Sequence, residues 1–185
     1  MRTTTIEIHR WTRQEFEQLA SMGFFDPEER LELIDGEIFH NPVQSSLHAT
    51  AVRASEEALR SIYQRGYDVR VQMPLAIDEY SLPEPDVAVV RGSWRDYRET
   101  HPTTAVLVVE VADSSLHHDK TRKRPRYAQA GIAEYWILNL TEYCLEVYRN
   151  PASSDYQSSI RLNAGDVVSP LSHPHLSIPV ANLLP

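Results

Sequence analysis

Two carboxylates fall in or beside apolar runs, where charge is costly. Asp86 opens Asp86-Val87-Ala88-Val89-Val90, and Glu110 lies near the end of Ala105-Val106-Leu107-Val108-Val109-Glu110-Val111. If the runs pair as antiparallel strands, the start of the first lies beside the end of the second, and both carboxylates converge at one edge of a sheet. Like charges so placed repel. A bound divalent cation is the natural compensation, and oxygen ligands suit Mg²⁺ or Mn²⁺ rather than Zn²⁺. The competing reading makes Asp86 a turn residue after Pro85 and gives Glu110 an arginine partner; these two positions alone do not separate the two.

A third element is the run His117-His118-Asp119-Lys120-Thr121-Arg122-Lys123-Arg124-Pro125-Arg126-Tyr127. Residues 117–126 hold five basic groups and one acidic, a local +4 in a chain of net charge −8. Lys123 and Tyr127 would share a helical face. Pro125 is tolerated only in a first turn, so a helix is expected to start near Asp119 or Thr121. Positive groups and free N–H dipoles at a helix start suit phosphate; a solvated helix face is the competing reading. Adjacent histidines diverge on such an approach, so His117 and His118 are expected to be exposed polar residues rather than metal ligands. His173 and His175 read as loop residues.

These groups need elements to position them. Thr12 with Glu15 forms a capping box, so 13–21 is a short helix ended by Met22-Gly23. Asp35-Gly36 between alternating residues predicts a two-residue hairpin over 31–40. Leu47, Ala51, Ala54 or Ala58, Leu59 and Ile62 form one stripe of a helix closed by Gly66. Strands are expected at 69–73, 86–90 and 105–111, a second helix at about 119–130, and a closing strand pair at 134–138 and 144–148. The fold class is a mixed α/β or α+β sheet flanked by helices. At 185 residues the chain is one domain, 1–185, with a helix and hairpin at 12–40, a core at 41–150 and a strand-rich tail at 151–185.

Composition narrows the classes. The single Cys144 excludes an internal disulfide framework and a multi-cysteine zinc site, and fits a reducing, cytoplasmic location. Met1 to Glu7 lacks the apolar stretch of a signal peptide, and no apolar run is long enough to span a bilayer, so no membrane role is expected. A Gly-x-Ser-x-Gly motif and a Gly-rich phosphate loop are both missing. Trp11, Trp94 and Trp136 read as packing residues, with Trp94 in a polar loop the one placed to touch a substrate.

In order, these segments resemble the Uma-two family, a branch of the PD-(D/E)XK restriction-nuclease superfamily. The resemblance runs from Glu32-Leu33-Ile34-Asp35-Gly36-Glu37 through His48, Pro85-Asp86-Val87-Ala88-Val89 and Leu107-Val108-Val109-Glu110-Val111-Ala112-Asp113-Ser114-Ser115. It continues to Asp119, Lys123 and Tyr127, and ends at Gly131-Ile132-Ala133-Glu134-Tyr135-Trp136. It implies a restriction-endonuclease-like fold in which Asp86, Glu110 and the main-chain carbonyl of Val111 bind Mg²⁺. The superfamily pattern expects a lysine two residues after the glutamate, where this chain has Ala112. The resemblance implies that the lysine has moved to the following helix, as Lys123, with Lys120 the competing assignment. Glu32, His48, Asp119 and Tyr127 match family positions and are expected around the metal ligands. Lys120, Arg122 and Arg124 are expected to meet substrate phosphate.

The expected function is Mg²⁺-dependent, or Mn²⁺-dependent, hydrolysis of phosphodiester bonds in DNA by an endonuclease. The alternative is a catalytically inactive nuclease-fold module for nucleic-acid binding or dimerisation. A hydrolase for smaller phosphodiesters is a third reading. A homodimer is expected, with Tyr135-Trp136-Ile137-Leu138 and Leu183-Leu184 as candidate interface segments.

Overall fold

Thr12 caps the first helix: its side chain accepts the Glu15 N–H at 3.2 Å, and its own N–H donates to the Glu15 carboxylate at 2.8 Å. That box opens α1 (Arg13–Ser21) in the computed structural model, which describes residues 7–185. Met1 to Ile6, read above for a leader sequence, lie outside the described residues. The Asp-Gly turn closes a hairpin of β1 (Leu31–Ile34) and β2 (Glu37–His40), paired Ile34 to Glu37. Asp35 and Gly36 take φ of 55° and 78°, the left-handed pair that a two-residue hairpin turn demands. The hairpin stands apart from the main sheet. It docks through a bridge between Leu33 and Leu82 and a small cluster containing Phe16, Leu33, Ala76 and Leu82.

Ser45 caps α2 (Ser46–Ile62) by accepting the His48 N–H at 3.2 Å. The helix stops at Tyr63, before Gly66, and buries Ala51, Val52, Ser55, Leu59 and Ile62. Leu47, expected on that stripe, is exposed in the first turn, so the buried face begins one turn later.

The apolar runs form the middle of a six-stranded sheet. Its strands are β3 (Tyr67–Val71), β4 (Val87–Arg91), β5 (Leu107–Ala112), β6 (Glu134–Asn139), β7 (Cys144–Pro151) and β8 (Tyr156–Asn163), neighbours in that order. Only β5 and β6 run parallel; the other pairs are antiparallel, including β4 with β5. Val87, Val89, Leu107, Val109 and Trp136 pack under α2 on one face. On the other face, Ala88, Val90, Val108 and Ile137 pack with Tyr127 and Ala128 of the second helical layer.

That second layer begins earlier than the sequence suggests. An α turn, α3 (Leu116–His118), leads into a π turn, Asp119–Lys123, and then α4 (Arg124–Gln129). Pro125 therefore sits inside a continuous helical stretch. Just before it the ladder widens to i→i−5, with the Arg124 N–H donating to the Asp119 carbonyl. A proline has no N–H to place and clashes with the carbonyl four residues back, and the wide turn relieves both demands.

The tail is not a separate layer. It supplies β8 and the short pair β9 (Val167–Val168) and β10 (Ile178–Pro179), and it contributes Val168, Ile178, Val180 and Leu183 to the core under α2. Buried Glu134 pins it: its carboxylate accepts from Trp136 Nε1 (2.9 Å), Arg149 Nη2 (2.6 Å) and the Leu171 N–H (2.8 Å). The first candidate interface segment, Tyr135 to Leu138, is corrected accordingly. Every residue of β6 is buried as a central strand, so that segment offers no surface to a second copy; Leu183 is core and Leu184 is half-buried against it. No helix among the described residues is long and apolar enough to cross a membrane.

Gly36 is required twice over. Its φ is positive, and a Cβ there would lie 2.7 Å from Arg10 Cβ. Gly36→Ala should cost about 2 kcal/mol from left-handed strain and the contact together. Thermal unfolding should show it as a fall in Tm of about 4–8 °C.

Candidate active site

The β4–β5 ladder ends at Val87 opposite Val109, and the next residues on each strand are Asp86 and Glu110. There the side chains take over from the backbone. The Asp86 N–H donates to Glu110 Oε2 at 3.3 Å, and the Val111 N–H donates to Asp86 Oδ2 at 2.9 Å. The strands are joined by carboxylates where a ladder would otherwise continue, which accounts for both being tolerated in apolar strands. The antiparallel convergence expected from the sequence is present, and Glu110 has a lysine rather than an arginine as partner.

That partner is Lys123, delivered by the end of the π turn. Its Nζ lies 3.2 Å from Glu110 Oε1 and 3.0 Å from Glu32 Oε2. Tyr127, one turn on, donates its hydroxyl to Glu110 Oε1 at 2.8 Å. Glu32 comes from β1 and is fully buried, its Oε2 also accepting the Glu84 N–H at 3.2 Å. Asp119, buried at the start of the π turn, accepts from Ser115 Oγ at 2.7 Å. His48 reaches in from the first turn of α2, with Nε2 3.2 Å from Asp86 Oδ2.

Four carboxylates, of Glu110, Glu32, Asp119 and Asp86, surround the Lys123 ammonium and hold its pKa well above the lysine range, although burial opposes this. Burial pushes Glu110 well up, with Asp119, Asp86 and Glu32 adding to the rise against the pull of Lys123. Burial likewise raises Asp119, which Lys123 and Ser115 only partly offset. For Asp86 the burial penalty is outweighed by His48, the Val111 N–H and Lys123, so its carboxyl sits below the usual range.

A cleft of about 110 Å³ opens over these groups; Asp86, Glu110, His48, Asp119 and Lys123 all line it. Sequence reasoning missed three contributors. Gln72 donates from Nε2 to Asp86 Oδ1 at 3.2 Å, from a left-handed backbone at φ 50°, a conformation uncommon for a residue other than glycine. Glu84 and Arg30 line the cleft mouth. His118, expected in solvent, is half-buried and faces Glu32 with Nε2 3.5 Å from Oε1, yet neither atom has a partner in hydrogen-bond geometry. A positive φ and a long-range docking of β1 leave no local pattern, so only the His-His pair gave any signal.

The basic strip is placed otherwise than its charge suggests. Lys120 pairs with Glu146 (2.8 Å), Arg122 with Glu37 (2.6 Å), Arg124 with Asp155 (2.8 Å) and Arg126 with Asp35 (2.5 Å). Of the strip's five cations only Lys123 lines the cleft. Trp94 is exposed, with the Arg95 guanidinium 4.2 Å from its ring centroid.

A mixed sheet flanked by helices, with a lysine and carboxylates gathered where a strand pair ends, is a restriction-endonuclease-like α/β architecture. The family model Uma2, described as "Putative restriction endonuclease", matches residues 13–181, and the chain belongs to that family. Among solved structures the chain is similar to a crystal structure titled as a "putative nuclease belonging to DUF820" from Anabaena variabilis. The TM-score is 0.72 at 18% identity, covering 93% of this chain and 96% of that one, a likeness of fold. No curated protein matches the chain. Among the described residues, no group of three or more His, Cys, Asp or Glu side chains is placed to hold a metal ion.

Lys123→Met should destabilise the protein by about 3–5 kcal/mol at neutral pH, because it leaves Glu32 and Glu110 buried without their cation. The loss should shrink as pH falls and those carboxylates take up protons. Denaturant unfolding at pH 7 and pH 5 measures both.

Proposed function

We propose that this protein is a Mg²⁺-dependent endonuclease that hydrolyses phosphodiester bonds in DNA, with Asp86, Glu110 and Lys123 as its catalytic residues. The observation that carries the reading is their convergence on one cleft at the point where the β4–β5 ladder gives way to carboxylates. Family membership supports it.

The donor set fits a hard cation. Two carboxylates and a main-chain carbonyl need only two side chains, fewer than a three-side-chain metal cluster. The Val111 N–H points toward Asp86, and in a strand the N–H and C=O of one residue lean to the same side, so the Val111 carbonyl faces the cleft edge too. The surplus of buried carboxylates over the single ammonium supplies the negative field that a cation offsets. When bound, Mg²⁺ supplies Lewis acidity at a phosphoryl oxygen and a lowered pKa for a coordinated water.

The chain's own groups do the rest. Gln72, His48 and the Val111 N–H orient Asp86, and Tyr127 orients Glu110. Lys123, kept charged by Glu32 and Glu110, directs the attacking water and offsets charge building on the phosphorane-like transition state. Lys120, engaged with Glu146 and outside the cleft, is the weaker choice for that role. A homodimer, with its two sites related by a two-fold axis, is the arrangement proposed for cutting both strands of a duplex.

Asp86→Asn and Glu110→Gln should each lower Mg²⁺-dependent plasmid nicking by about 100-fold or more, with an unchanged circular dichroism spectrum. Nicking that survives Asp86→Asn overturns the assignment. Calorimetric Mg²⁺ binding without cleavage of DNA, RNA or small phosphodiesters would instead favour a binding module.

A further inference from the structure

The six-stranded sheet ends in two edge strands, β3 and β8, and the two are built differently. At one edge, β3 is five residues long, carries Asp68 and Arg70, and runs into the left-handed Gln72. Arg60 reaches over from α2, and its Nη2 donates to the Val69 carbonyl at 2.8 Å, so a side chain already occupies that edge. Short length, charge and a covered backbone are the devices that keep an edge strand from pairing with another chain.

The β8 edge lacks all three. It is eight residues long, Tyr156-Gln157-Ser158-Ser159-Ile160-Arg161-Leu162-Asn163, with no proline, glycine or lysine. Its one charge, Arg161, is already paired with Glu142 of its own chain. Residues 157–161 are exposed, and Ile160 at the centre keeps 51% of its surface in water. The register with β7 holds one offset from Cys144 and Asn163 to Pro151 and Tyr156, so no inserted residue bends the edge away. The Ala152 N–H donates to the Asp155 carbonyl at 2.8 Å and closes the β7–β8 hairpin on a hydrogen-bonded pair. Such pairs alternate along an antiparallel ladder, so Gln157, Ser159 and Arg161 turn their N–H and C=O groups to β7, and Ser158, Ile160 and Leu162 turn theirs outward. Among the described residues, no backbone group bonds to those three from the open side.

That row is complementary to itself. With a two-fold axis at Ile160, Ile160 lies opposite its own copy and Ser158 opposite Leu162, so each outward-facing residue meets another and every such pair exchanges both of its hydrogen bonds. Ile160 then covers its counterpart, and Arg161 meets Ser159, so no like charges oppose each other. The axis also lies in line with the cleft. Val87, Val109, Trp136, Val147 and Ile160 are successive partners across the sheet, and Asp86 and Glu110 adjoin the first two.

We propose that β8 is the homodimer interface of this protein, pairing antiparallel with β8 of a second copy about a two-fold axis at Ile160 to make one continuous sheet. The interface stands on the edge alone; its use in presenting two catalytic sites to DNA rests on the endonuclease reading.

Sedimentation equilibrium of the intact protein should show a dimer, and Ile160→Lys, a change at a side chain half in water, should shift it to monomer. Cysteine placement tests the register. Hydrogen-bonded antiparallel pairs hold their Cα atoms about 5.5 Å apart, within disulfide reach, and the native Cys144 is buried. Ile160→Cys should therefore oxidise to a covalent dimer on a non-reducing gel. Ser158→Cys, whose copy would lie about 13 Å away along the strands, should not. A monomeric wild type overturns the interface, as does a dimer that survives Ile160→Lys or that cross-links at Ser158→Cys and not at Ile160→Cys. Plasmid cleavage separates this proposal from the endonuclease reading: the Ile160→Lys monomer should still nick supercoiled DNA and lose linearisation. A β8-paired dimer that cuts no substrate leaves the interface standing and refutes the endonuclease reading. A monomeric wild type that nicks DNA does the reverse.

Discussion

Burying one ammonium among four carboxylates is the constraint on which the rest of the structure depends. Lys123 stands at the end of the π turn Asp119–Lys123, and its partners arrive from two other layers, Glu32 on the hairpin and Glu110 on the central sheet. None of the three elements could keep its charge buried alone, since an isolated ion in this environment would cost several kcal/mol. The ion triad therefore fixes the hairpin, sheet and helix relative to one another as firmly as the apolar clusters do. It also accounts for the short ladder between β4 and β5, because Asp86 and Glu110 use their oxygens to satisfy backbone N–H groups that strand pairing leaves free.

What the sequence made legible was what local rules encode. The capping box at Thr12 and Glu15, the Asp35-Gly36 turn and the apolar runs at 86–90 and 105–111 each name an element through propensity or period, and each element is present. Convergence of Asp86 and Glu110 followed from antiparallel pairing alone. The assignment of Lys123 over Lys120 needed family resemblance, because nothing local distinguishes two lysines in a basic run.

The rest was set by partners far along the chain. A run of five cations looks like a polyanion surface until Asp35, Glu37, Glu146 and Asp155 are brought to it by the hairpin, β7 and the loop before β8. Gln72 gives no warning of its left-handed backbone, and Pro125 suggests a helix start where the fold instead changes the hydrogen-bond period. Glu134 in the Gly-Ile-Ala-Glu-Tyr-Trp signature turns out to be an internal clamp, since it gathers Trp136, Arg149 and the Leu171 N–H and so ties the tail to the sheet.

Of the layers that meet at Lys123, the hairpin is the one that stands outside the main sheet. It pairs with no strand of the main sheet and joins the body through the Leu33–Leu82 bridge, the Gly36 N–H bond to the Tyr80 carbonyl, a four-residue buried cluster, and the ion pairs of Glu32, Asp35 and Glu37 with Lys123, Arg126 and Arg122. Elements outside a central sheet are the ones that folded proteins open locally, at free energies below that of global unfolding. Each opening would withdraw Glu32 and leave Glu110 as the one carboxylate paired directly with Lys123, with Asp119 and Asp86 nearby. The electrostatic state of the cleft is thus tied to a local folding equilibrium, and whatever grips residues 31–40 sets how much of the time the full triad exists.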